Sequence, residues 1–96
     1  MLTVYPAIFL KEETGYSISF PDLEGCLTEG DSLEDAMEMA QEALGLYLAS
    51  LKERNLSIPV ASELSSIQCC DNGFATLVST SVEDYRRSES DITIAV

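Results

Sequence analysis

At Ser32 the spacing of apolar residues changes, and that change constrains the fold more than any other feature of the chain. Leu33, Ala36, Met37, Ala40, Ala43, Leu44, Tyr47, Leu48 and Leu51 recur every three or four residues, the period of one helical face. Glu34, Asp35, Glu38, Gln41, Glu42, Lys52 and Glu53 fill the positions between. The spacing predicts an amphipathic helix of about six turns. Ser32 is a good N-cap, and Asp35 holds the capping-box position, where a Glu would reach back better. Asp31, Glu34 and Asp35 suit the positive end of the helix dipole, and Lys52 and Arg54 suit the other. Asn55 is the candidate C-cap. Gly45 falls mid-helix and costs stability unless another backbone comes close to it.

Before the helix the period is two. Leu2–Leu10 is rich in β-branched and aromatic residues, "KEETG" supplies a turn at Gly15, and "YSISF" alternates Tyr16, Ile18 and Phe20 with Ser17 and Ser19. Together they predict an antiparallel hairpin. Pro6 has no N–H to give a ladder, so its nitrogen belongs at an edge or bulge. "PDLEG" reads as a turn and "CLTEG" as a short third strand. Beyond the helix, "LSIPVASELSSIQ" is an irregular link, "DNG" a turn and "FATLVST" a fourth strand. "VEDYRRSES" is polar, short helical or irregular, and "DITIAV" is strand-like. The fold class is α+β, in the order β-β-β-α-β: a small antiparallel-rich sheet with one long amphipathic helix on one face.

One helix covers one side of a sheet, yet the first strand is apolar on both. Val4, Ile8 and Leu10 alternate with Tyr5, Ala7 and Phe9, and Phe74 and Val78 stand opposite Ala75 and Leu77. The second face needs the linker, another subunit or a partner. A terminal "ITIAV" is an unpaired edge as well. Self-association as a homodimer or higher homo-oligomer is therefore expected, with Tyr5, Phe9, Ile92 and Ile94 as candidate interface residues.

Charge excludes several functions. Seventeen acidic residues against five basic ones give a net charge of -12 in 96 residues, so no basic stripe exists to neutralise phosphates. A basic protein is the natural complement. At 46% apolar the chain still carries enough hydrophobic side chains for one modest core. The run "LTVYPAIFL" is nine residues, too short for a membrane span, and no signal peptide precedes it. A cytoplasmic protein with free thiols is the expectation. With no histidine and three cysteines, neither the usual zinc sets nor a His-based nucleophile can be assembled.

The stretch "FPDLEGCLTEGDSLEDA" holds six carboxylates in seventeen residues. Magnesium-dependent phosphodiester cleavage needs carboxylates converging from separate elements. Asp22, Glu24, Glu29 and Asp31 instead flank one short strand, where turn formation and the helix dipole account for them. Cys26 has no cation nearby to lower its pKa and reads as a small buried hydrophobe. No catalytic residue, cofactor or metal is expected.

"VYPAIF", "GYSISFPDLEGCLTEGDSLEDAMEMAQEALGLYL" and "IPVAS" closely resemble the HicB family of antitoxins. Tyr5, Pro6 and Ala7, Gly15 and Tyr16, and Phe20 through Cys26 match its pattern. So do Thr28, Gly30 to Ser32, Ala36, Ala43 and Leu44, and Ile58, Pro59 and Ser62. The resemblance covers roughly residues 3 to 87 and sets the domain at 1–87, with a strand-like tail at 88–96. It implies a partial RNase H-like fold without the nuclease's catalytic set. It also implies a partner, a HicA-like basic toxin that cleaves mRNA and whose active site the antitoxin covers. Many members carry a C-terminal DNA-binding domain. "SESDITIAV" resembles the start of a ribbon-helix-helix, but no helices follow Val96, which puts operator binding by this chain in doubt.

Against a basic toxin, Glu34, Asp35, Glu38 and Glu42 on the helix become the candidate docking surface. The sheet edge and the second apolar face compete with them. The alternative function is a stand-alone RNA-binding or degenerate nuclease-like module with no toxin partner.

Overall fold

A computed structural model describes residues 2–69 and 71–82. The elements run β1 (Leu2–Lys11), β2 (Tyr16–Ser19), β3 (Leu27–Gly30), α1 (Leu33–Glu53), a 3-10 turn (Leu64–Ser66) and β4 (Gly73–Ser81). The four strands form one antiparallel sheet in the order β3-β2-β1-β4. Ile92, Ile94, the polar stretch after Val82 and the 88–96 tail lie outside the described residues.

Register decides which of the two apolar sets on β1 becomes core. Phe9 pairs with Ile18 and with Phe74, and Tyr5 pairs with Val78. The helix lies over that side, so Tyr5, Ala7, Phe9, Ile18 and Val78 meet Ala36, Ala40, Leu44 and Leu48. Phe9 and Phe74 stack with centroids 5.0 Å apart, and Tyr16 meets Phe74 edge-on at 6.4 Å. The other set, Leu2, Val4, Ile8 and Leu10, faces away from the helix.

The Lys11 N–H donates to the Asn72 carbonyl at 2.8 Å, whereas the Glu12 N–H donates to Gly15. Donors alternate sides along an antiparallel strand, so odd residues of β1 serve β4 and even ones serve β2. The missing donor of Pro6 therefore falls on the β2 side, beyond the last β1–β2 pair, Ile8 with Ser19. Proline sits where the ladder has already stopped.

Both helix ends are closed by local chemistry. The Ser32 Oγ accepts the Asp35 N–H at 3.1 Å, and the Asp35 carboxylate accepts the Asp31 N–H at 2.9 Å. The acid reaches one residue further back than a reciprocal capping box requires. At the far end Arg54 is the C-cap, and Asn55 follows in the left-handed region with φ 56. The Leu56 N–H returns to the Leu51 carbonyl at 2.9 Å and the Asn55 N–H to Lys52 at 3.1 Å, which is a Schellman closure.

Glycines bring three backbones together at the start of the helix. A Cβ on Gly30 would lie 2.5 Å from both N and Cα of Ala36, and one on Gly15 would lie 2.1 Å from the Gly30 carbonyl oxygen. The hairpin turn, the end of β3 and the first turn of α1 touch without side chains between them.

Candidate functional site

The acidic residues of the loop and helix do not converge. Asp22 accepts the Ser62 N–H at 2.8 Å and the Ser62 hydroxyl at 2.6 Å. Glu24 lends only its carbonyl, to the Tyr47 hydroxyl at 2.8 Å. Asp35 is occupied by the cap, and Glu29 stands on the sheet face away from the helix, paired across to Ser17. Among the described residues no group of three or more His, Cys, Asp or Glu is placed to hold a metal ion.

Those contacts secure the Phe20–Cys26 turn and the link after the helix. The Tyr5 hydroxyl, reaching from the core side of β1, donates to the Pro59 carbonyl. Asp22 takes hold of the same link three residues on, at Ser62. The Cys26 thiol points at the Ala43 carbonyl, 3.7 Å away, and burial pushes its pKa up to about 11. Burial, and then the carboxylate of Asp22, raise the pKa of Tyr5. Both groups are neutral packing elements at neutral pH. Sequence reasoning had Asp22 as a turn former only; its partner stands forty residues away, and no local pattern announces it. The signal that existed was the family pattern, which contains Tyr5, Asp22, Pro59 and Ser62 together.

The structure leaves two surfaces of distinct character. On α1, Glu34, Glu38 and Glu42 are exposed at successive i, i+4 positions, which places them in one row along the helix. Asp35 is half-buried and belongs to the cap rather than to that row. On the opposite side, Leu2 is 67% exposed, Val4 42%, Leu27 69% and Leu77 49%. A shallow depression of about 420 Å³ lies there, lined by Leu10, Ser17, Ser19, Leu27 and Glu29. The link returns onto part of this face, where the Cys69 sulfur sits beside Gly73 and Leu10. Tyr5 and Phe9, expected at an interface, are instead 3% and 0% exposed. Their side of β1 is the one the helix covers, and the outward positions are Leu2 and Val4.

Residues 5–95 match a family described as a HicB-like antitoxin of bacterial toxin–antitoxin systems. Antitoxin HicB 2 of Photorhabdus laumondii is 41% identical over 58 residues, 60% of this chain and 42% of that protein. An uncharacterised 14.9 kDa protein of Haemophilus phage HP1 is 33% identical over 61 residues, 64% of this chain and 46% of that one. The matches thus span less than half the length of these two relatives. Among solved structures, a chain of a toxin–antitoxin complex from Streptococcus pneumoniae superposes with a TM-score of 0.82 at 29% identity. That superposition covers 88% of this chain and 73% of the other.

Proposed function

The chain belongs to the HicB-like antitoxins of bacterial toxin–antitoxin systems, and from that premise we propose that it acts by binding alone. It covers the RNA-cleaving site of a small basic toxin and performs no chemistry itself. The observation that carries this reading is the row Glu34, Glu38 and Glu42, exposed along one helix of a chain with net charge -12. Three carboxylates in one row raise each other's energy by a few tenths of a kcal/mol per pair. A cationic partner relieves that repulsion on docking and is drawn in by the field of the whole molecule.

The test is co-expression with a HicA-like basic protein encoded beside this gene. Relief of growth arrest together with co-purification is the expected result; a toxin that stays active and elutes alone overturns the proposal. The double variant Glu38→Lys/Glu42→Lys locates the contact. Loss of about 1 kcal/mol per reversed charge weakens binding roughly tenfold or more, measured by calorimetry at low salt. Unchanged affinity would move the contact off the helix.

A further inference from the structure

We propose that the sheet face turned away from the helix joins two copies of this chain back to back, and that its lack of charge is what fits it to a like-charged partner. The register assigns this face without ambiguity. The even residues of β1 stand beside the odd residues of β2, β3 and β4, since Ile8 pairs with Ser19 and with Ala75, and Ser19 pairs with Leu27. Across the outward positions of the four strands Glu29 is the single charged residue. Leucine, valine, proline, isoleucine, alanine, glycine and serine supply the rest.

That distribution is selective in a chain with seventeen acidic residues and five basic ones. A basic protein finds almost nothing to pair with on this face and finds a row of carboxylates on the helix. A second copy meets the opposite conditions. Two molecules of charge -12 repel at every approach that brings helix to helix. Back to back, their sheets lie about 10 Å apart, and the carboxylate rows stand on the far sides of both sheets, several Debye lengths of ~8 Å from each other at physiological salt. The exposed leucines and valine then leave water with no carboxylate buried except near Glu29. An isologous contact also repeats each feature twice, so Leu27 of each copy lies beside the depression formed by Leu10, Ser17 and Ser19.

The two associations of this protein therefore respond to salt with opposite sign. Toxin binding through carboxylates weakens as ions screen it, whereas self-association tightens because only repulsion is screened. Sedimentation velocity on the 96-residue chain, with no toxin present, reads this directly. The expected species has twice the 10.5 kDa monomer mass and a dissociation constant that falls several-fold between low salt and about 0.5 M NaCl. Leu77→Glu and Val4→Glu, at side chains exposed in the single chain, raise that constant at least tenfold and leave circular dichroism and the melting curve unchanged. Leu77→Ser is the gentler companion should a glutamate perturb folding. Glu38→Gln/Glu42→Gln leaves the dimer intact. A monomer at every salt concentration up to about 100 µM protein overturns the proposal, as does a dimer indifferent to Leu77→Glu and Leu77→Ser. Loss of thermal stability in both Leu77 variants without any change in mass would show that the chain's own terminal segment occupies the face, and would overturn it too.

Discussion

Asp22 shows how much a single carboxylate does in this fold. It accepts two hydrogen bonds from Ser62 and so ties the link after the helix to the turn before β3. Hydrogen bonds to a charged acceptor are worth about 1.5–3 kcal/mol. Asp22→Ala is therefore expected to cost about 2 kcal/mol in denaturant unfolding and to expose the stretch around Ile58 to proteases, read by mass spectrometry of the first cut. None of this was legible locally, because "PDLEG" looks like a turn whether or not its aspartate holds a distant serine. Cys26 was legible: a cysteine with no cation near it at the start of a strand reads as packing, and it is buried. Its thiol and the Tyr5 hydroxyl are held neutral, with pKa values raised above the ordinary 9.0 and 10.0. Each binds its proton more tightly folded than unfolded, so the stability involved is complete below pH 9 and is lost as pH climbs toward about 11. The melting temperature should fall across that window, and Cys26→Ala should flatten the lower part of the fall. Iodoacetamide at neutral pH should modify exposed Cys69 and spare Cys26 until the protein unfolds.

At the scale of elements, sequence and structure agree where the determinants are local. The three-to-four spacing placed α1 to within two residues at each end, and Ser32 caps it as its chemistry requires. The exceptions are instructive. Asp35 is one methylene shorter than glutamate, and its carboxylate accepts from Asp31 rather than from the cap residue itself. Asn55 stands one position beyond the cap, in the left-handed conformation that asparagine tolerates better than most residues. Ser32→Ala should cost about 1 kcal/mol. Asn55→Gly should be neutral or slightly stabilising, whereas Asn55→Ala should cost about 1 kcal/mol. Urea unfolding midpoints of the three variants, compared at equal slope, check both ends of the helix independently. The third strand was expected from Cys26 and begins at Leu27. Cys26 is instead spent on the turn, its N–H donating to Leu23 and its carbonyl accepting from Phe20.

For the whole molecule the decisive question was which apolar set of β1 turns inward, and alternation alone could not answer it. Tyr5 and Phe9 against Val4 and Leu10 are equivalent by composition. The choice is made by contacts far apart in sequence, through pairing with Val78 and Phe74 and cover by Leu44 and Leu48. The family pattern, spread along the whole chain, was legible because its residues serve as contacts between elements. The acidity is legible too and has a global consequence: screening should raise the melting temperature between about 20 mM and 0.5 M NaCl, measured by calorimetry. The close approach of Gly15, Gly30 and Ala36 acts at the same scale. If β3 slipped by one residue against β2, Glu29 or Asp31 would stand where Gly30 now meets the helix backbone, and a Cβ has no room there. Such slips are the usual error of short hairpins, because each one exchanges the two faces of a strand. The glycine is thus a gauge for strand pairing: the helix can seat only on a correctly registered sheet, and a misaligned chain is refused its core.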